Sequence, residues 1–273
     1  MNRHLSVPGV SVPTLGLGTW QLRGDAATAA VRHALGVGYR HIDTAQVYGN
    51  ERDVGLGLKA SGVPRDEVFL TTKVWRENLA PEVVRRTTDE SLRRLGTDYV
   101  DLLLMHWPNS DVPLAETLGA LADVRDAGKA RLIGVSNTPA GLLREALKTE
   151  PTIANDQVEY HVYLGQDRLV EAVREAGLFL TAYSPIARGR VTDDAIIAEI
   201  ARAHGATPTQ VALAWLLAKD RVAAVPKSGT PAHIEANYGA QELNLSADEM
   251  ATLSGLARGQ RLIDPDFAPD WDA

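Results

Sequence analysis

The stretch that decides the fold is YRHIDTAQVYGNE, residues 39–51. A short apolar run ends here on Asp43, a turn delivers Tyr48, and a helical pattern begins soon after. The same construction returns twice. VFLTTK closes on Lys73 and VDLLLMH closes on His106, at intervals of 30 and 33 residues. One strand–helix–strand unit takes about 30 residues or more. Consecutive parallel strands would therefore point Asp43, Lys73 and His106 into a single mouth.

Outward from this stretch, apolar runs at 14–18, 40–43, 67–72, 99–105, 131–135, 153–158, 178–183 and 222–225 predict eight strands. Helical spacing predicts helices over 25–36, 81–95, 113–127, 139–148, 167–176, 193–204, 208–219, 231–239 and 246–257. The second of these starts on Pro81, favoured in a first turn, and stops near Gly96. Strands alternating with helices imply a parallel sheet with both faces covered. Eight of them predict an α/β fold closed as a (β/α)8 TIM barrel. Residues 5–13 alternate around Pro8-Gly9, which predicts a β-hairpin ahead of the barrel. No linker, low-complexity run or charge block interrupts the chain, so residues 1–273 read as one domain. The tail 259–273, GQRLIDPDFAPDWDA, has no periodicity and could simply fray. Phe267 and Trp271 nevertheless give it two apolar anchors suited to covering a pocket near the barrel mouth.

Composition narrows the function. A chain of 273 residues fits one barrel of ~250 residues. Apolar residues at 45% and charged residues at 23% are an ordinary soluble balance. A net charge of −7 without a basic cluster argues against nucleic acid and anionic membranes. The absence of cysteine excludes disulfides, thiolate catalysis and Cys-ligated metal centres. The seven histidines are scattered, with no His-Glu-x-x-His run. MNRHLSVPGVSVP lacks the apolar core of a signal peptide, and no stretch is long enough to span a bilayer. The expected location is the cytoplasm.

In a barrel of this kind the reactive groups belong at the C-terminal ends of the strands. Lys73 beside Asp43 would form a buried ion pair, costly to desolvate and hence a candidate for function. The ordinary phenol pKa is about 10, and a nearby ammonium would lower that of Tyr48. His106 beside the phenol could donate a hydrogen bond to a carbonyl oxygen. The set is a proton donor with an electrostatic tuner and no nucleophile. Gly134-Val135-Ser136-Asn137-Thr138 lacks the closing glycine of a nucleophile elbow, which disfavours a hydrolase. A general acid aimed at a carbonyl needs an electron source, here a bound hydride donor. No G-x-G-x-x-G follows a strand, so a Rossmann site is unsupported.

The ordered pieces GLGTWQ (16–21), YRHIDTAQVYGNE (39–51), TTKVW (71–75), LGTDYVDLLLMHWP (95–108), IGVSN (133–137), QVEYH (157–161), AYSPIA (182–187) and VPKSGT (225–230) resemble the aldo-keto reductases. The resemblance runs along nearly the whole chain. With the ending RLIDPDFAPDWD it looks closest to the bacterial branch of 2,5-diketo-D-gluconate reductases, which also reduce methylglyoxal. It implies a (β/α)8 barrel that binds NADPH without a Rossmann fold. Asp43, Tyr48, Lys73 and His106 fall on the family's catalytic tetrad. Tyr48 would be the general acid, Lys73 with Asp43 would lower its pKa, and His106 would orient the substrate.

The resemblance also assigns a cofactor set, which includes Asp43. Ser136, Asn137 and Gln157 match the residues that hold the carboxamide, and Tyr183 matches the ring stacked on the nicotinamide. Gly18 and Thr19 match the first-strand loop beside it. Ser184, Pro185 and Ile186 would line the pyrophosphate, and Lys227 and Ser228 match the 2′-phosphate contacts. Two positions depart from the pattern. His233 stands where many relatives carry an arginine on that phosphate, and Ala236 where relatives often place a glutamate near the adenine, although Asn237 remains. The expected result is an NADPH preference carried by Lys227, weaker than in Arg-bearing relatives and sensitive to pH.

Trp20, Trp75 and Trp107, with Tyr48 and His106, are the candidate walls of the substrate pocket. Short loops after His106 and Tyr183 suit small aldehydes, dicarbonyls or keto-sugars. Arg188 and Arg190 in the second loop are either solvated or available to an anion. A different class of function, an NADPH-binding sensor or regulatory subunit with weak reductase activity, is compatible with the same tetrad. A hydrolase or isomerase using Asp43 and His106 is a further alternative. A monomer is the family-like default.

Overall fold

The computed structural model describes residues 3–7 and 9–271. The hairpin forms as expected: β1 (His4–Val7) pairs antiparallel with β2 (Val10–Pro13). Pro8, expected from the sequence at its turn, lies outside the described residues. Eight further strands follow, namely β3 (Leu17–Gly18), β4 (His41–Asp43), β5 (Phe69–Val74), β6 (Val100–Met105), β7 (Ala130–Ser136), β8 (Ile153–Glu159), β9 (Phe179–Tyr183) and β10 (Val222–Ala224). They pair in sequence order, and every pairing is parallel.

The helices of the outer layer are α1 (Gly24–Val37), α2 (Glu51–Ser61), α3 (Pro81–Leu95), α4 (Leu114–Asp126), α5 (Ala140–Thr149), α6 (Asp167–Glu175), α7 (Ala195–Ala203), α8 (Pro208–Leu217), α9 (Pro231–Gly239) and α10 (Ala247–Ser254). Most boundaries lie within two residues of the sequence expectation; α10 ends three residues early. The main departure is the first strand, expected over 14–18 but regular only over two residues. Gly16 and Gly18 offer no side chains to a pleated ladder. They offer close backbone approach instead.

That approach closes the barrel. On one side β3 pairs with β4, and on the other its segment bonds to the β10 region. Gly16 N donates to the Ala224 carbonyl at 2.9 Å, Gly18 N to the Pro226 carbonyl at 3.0 Å, and Ala224 N to the Thr14 carbonyl at 2.8 Å. A Cβ on Gly18 would lie 2.6 Å from the Val225 carbonyl oxygen, so only glycine fits the seam.

Strand periodicity divides the interior in two. Along β6, Leu102 and Leu104 join a cluster with the hairpin residues Leu5, Val7 and Val12, whereas Leu103 and Met105 join the larger cluster with the helices. The hairpin therefore plugs one end of the barrel, where Phe69 and Phe179 begin their strands. The opposite end, where the strands finish, is left for chemistry. The inward face of β5 runs Phe69, Thr71, Lys73, and that of β4 runs His41, Asp43.

Gly18→Ala should loosen the seam and cost about 1–3 kcal/mol by overpacking. Gly36→Ala, where a Cβ meets nothing within 4 Å in the last turn of α1, should be neutral or stabilising by up to about 1 kcal/mol. Urea denaturation of the two variants checks both signs.

Candidate active site

Lys73 is fully buried, and its three donors find three oxygens. Its Nζ lies 2.6 Å from Asp43 Oδ1, 2.8 Å from the Thr44 carbonyl and 3.5 Å from the Tyr48 hydroxyl. The other Asp43 oxygen accepts from Gln157 Nε2 at 2.7 Å, reaching across from β8. Burial pulls the Lys73 pKa below its ordinary value, and the adjacent Asp43 charge opposes that pull. The ion pair expected from the sequence is present.

Tyr48 ends a 3-10 turn, Gln46–Tyr48, whose geometry is set from both sides. Gln46 Oε1 accepts from Trp75 N and Asn78 Nδ2, each at 3.1 Å. Asn50, fully buried, donates to the Thr19 and Leu22 carbonyls and accepts from Thr44 Oγ1 at 2.8 Å. The Tyr48 pKa differs from the sequence expectation. It is raised well above 10, first by burial and then by the Asp43 charge. Desolvation of the phenolate outweighs the ammonium 3.5 Å away, so in this structure Tyr48 keeps its proton firmly.

His106 follows β6 directly, its N–H bonded to the Val74 carbonyl at 3.0 Å. Its ring stands edge-on to Tyr48 at 5.8 Å and to Trp75 at 5.3 Å. Burial, then the Lys73 charge, pushes its pKa well below 6.5. The imidazole is therefore neutral, and its buried Nδ1 has no hydrogen-bond partner among the described residues. All four tetrad candidates meet at one mouth.

A second network adjoins them. Ser136 Oγ donates to the Gln157 carbonyl at 2.7 Å, and Asn137 Nδ2 to the His106 carbonyl at 2.9 Å. Tyr183 donates from its hydroxyl to Asn137 Oδ1 at 2.6 Å, and Thr19 Oγ1 donates to the Asp43 carbonyl at 2.9 Å. Asn137 takes φ 57°. Beyond Tyr183, the loop with Ser184, Pro185 and Ile186 is strained: Ser184, Ala187 and Arg188 have φ of 49°, 48° and 55°. Lys227 bridges in parallel to Gly18, which pairs with Asp43 on its other side, so β3 lies between Lys227 and Asp43. Ser228 is buried with its Oγ 3.1 Å from Thr230 N, Asn237 is buried on α9, and His233 is exposed on the first turn of α9.

The rim is aromatic. Phe267 stands edge-on to Trp75 at 5.9 Å and to Trp107 at 5.5 Å, and Trp271 to Trp107 at 6.0 Å. The Arg76 guanidinium covers Phe267 at 4.5 Å and that of Arg261 covers Trp271 at 3.6 Å. The tail thus lies over the mouth through residue 271, while residues 272 and 273 lie outside the described residues. Trp20 stands apart, 41% exposed, with the Arg188 guanidinium 5.4 Å from its ring. Sequence reasoning missed Gln46, Asn50 and Arg76. Two of them fell inside the deciding stretch, where their amide side chains gave the available signal.

Comparison with known proteins agrees with this architecture. Residues 14–258 match the Aldo/keto reductase family. Methylglyoxal reductase DkgB of Escherichia coli O157:H7 is 40% identical over 268 residues, covering 96% of this chain and 100% of that one. A crystal structure assigned as a 2,5-diketo-D-gluconic acid reductase B superposes with TM-score 0.97 at 44% identity, covering 100% of this chain and 98% of the other. The aldose reductase of Schistosoma japonicum superposes with TM-score 0.91 at 32% identity, covering 98% and 97% of the two chains. With eight parallel strands, a closed seam and these relatives, the chain belongs to the aldo/keto reductase family and is an oxidoreductase.

Proposed function

We propose that the mouth reduces small aldehydes, dicarbonyls or keto-sugars to alcohols, with NADPH as the hydride source. The observation that carries this reading is the convergence of Tyr48, Lys73 and His106 on one end of the barrel, where burial raises the phenol pKa and lowers that of the imidazole. A protonated phenol is the form a general acid must hold. A neutral imidazole can still donate one N–H to a carbonyl oxygen and orient it without competing for the proton. Lys73 then stabilises the phenolate left after transfer, its charge maintained by Asp43. The names of the relatives, a methylglyoxal reductase and a 2,5-diketo-D-gluconic acid reductase B, favour a compact carbonyl with a second polar group.

The residues around the tetrad suit a nicotinamide dinucleotide, which when bound supplies the hydride. Ser136, Asn137 and Gln157 bring amide and hydroxyl groups to a carboxamide. Tyr183 offers a ring face, with Gly18 and Thr19 beside it. Strained turns of the kind formed by Ser184, Ala187 and Arg188 gather at ligand clamps, and this one follows a strand end. Lys227 is exposed, with no ion-pair partner among the described residues, just past the next strand end and ahead of the N-terminus of α9, where positive potential favours a phosphate. His233 and Asn237 lie on the same helix.

Three outcomes test the reading. Tyr48→Phe should lower kcat by about 10²–10⁴-fold while NADPH binding, followed by protein fluorescence, is kept. Lys227→Ala should weaken NADPH by about 10–100-fold and leave NADH nearly unchanged, from the loss of a charge-assisted phosphate contact. His106 is neutral when folded and has an ordinary pKa near 6.5 when unfolded. Its contribution to stability is therefore complete above about pH 6.5 and is lost as pH falls toward the depressed folded value. Between those limits the wild type should lose about 1.4 kcal/mol per pH unit relative to His106→Gln in denaturant titrations.

A further inference from the structure

Glu159 ends β8 and has no exposed surface. Its side-chain hydrogen-bond partner among the described residues is His161, with Nε2 3.0 Å from Oε1. The Tyr163 N–H points to His161 Nδ1 at 3.3 Å, so Nδ1 accepts and Nε2 is the nitrogen left to donate to the carboxylate. The remaining partners of the carboxylate come from the tail. Leu262 N lies 2.9 Å from Oε1 and 3.1 Å from Oε2, and Ile263 N lies 3.0 Å from Oε2. A buried carboxylate is thus satisfied by one imidazole N–H and two backbone N–H groups that arrive from more than a hundred residues away.

Lifting the tail would leave that charge without two of its donors. A stranded buried charge costs far more than the hydrogen bonds themselves are worth in water, so the tail is held down by the carboxylate's need for donors. Gln157 and Glu159 share one face of β8 by the two-residue strand period. The lower of them reaches Asp43, and the upper reaches the tail. Shortly beyond this anchor, Phe267 meets Trp75 and Trp107, and Trp75 in turn meets His106.

We infer that Glu159 is a positioning residue for the carbonyl substrate: it fixes the tail so that Phe267 completes the aromatic wall beside His106. This rests on the carbonyl-reducing reading above. The test uses Glu159→Gln and Phe267→Ala, singly and together, with 4-nitrobenzaldehyde as the carbonyl and hydrogen exchange as a second readout. A glutamine places an N–H₂ where an acceptor is required. Exchange at the Leu262 and Ile263 amides should therefore quicken by about 10–100-fold. KM should rise about tenfold, with kcat and NADPH affinity changed by no more than about twofold. In the Phe267→Ala background, Glu159→Gln should add nothing further to KM. Unchanged exchange at these amides would overturn the inference, as would equal increases in KM in both backgrounds or a parallel loss of NADPH affinity. Glu159→Asp, which keeps the charge and shortens its reach, should give the same pattern if the glutamine variant does not fold. The exchange readout needs no turnover, so absent carbonyl reduction counts against the proposed activity and leaves the anchor to be decided by exchange.

Discussion

An ammonium with no exposed surface is the constraint to which the rest of the barrel mouth answers. Lys73 lies on the inward face of β5, and only nearby oxygens can replace the water it has lost. Asp43 supplies the counter-charge, and Gln157 holds that carboxylate from across the barrel. Thr44 supplies a carbonyl, and its hydroxyl bonds Asn50, which in turn fixes the Thr19 and Leu22 carbonyls. One buried charge therefore ties together the first-strand loop, β4, β5, β8 and the start of α2. Loosening any of these exposes the pair to water and weakens its field, since the attraction between charges scales inversely with the local dielectric.

Around this fixed floor the mouth is built in a second way. The floor is held by side chains on neighbouring strands; the rim is held by a segment that returns from the end of the chain. Glu159 anchors that segment, and rings rather than charges make its contact with the pocket. The division suits the proposed chemistry. Proton donation requires fixed distances near the reacting oxygen, whereas a pocket wall requires shape.

Much of this was legible in the sequence because strands buried on both faces read as unbroken apolar runs. VDLLLM and FLTTKV are largely apolar or β-branched in that way, with Lys73 next to last in one and His106 directly after the other. The seam of β3 was less legible. Gly16 and Gly18 act through the side chains they lack, and a two-residue ladder has no period to detect. The reach of Gln157 to Asp43 spans 114 residues, so no local spacing encodes it. The anchoring of the tail uses the backbone N–H groups of Leu262 and Ile263, which any residue but proline provides. Phe267 and Trp271 were the visible part, and they sit where apolar anchors should. The direction of the Tyr48 pKa was also hidden. It depends on a balance between burial and two opposite charges, and sequence gives the charges without the burial.

The most direct test of the central claim is a ¹⁵N NMR titration of Lys73 Nζ in the wild type and in Asp43→Asn. A charged Lys73 at pH 7 in the wild type, titrating below its ordinary 10.5 and lower again once the Asp43 charge is removed, is the predicted result. A neutral amine at pH 7 in the wild type, or a titration that does not move in Asp43→Asn, would contradict it.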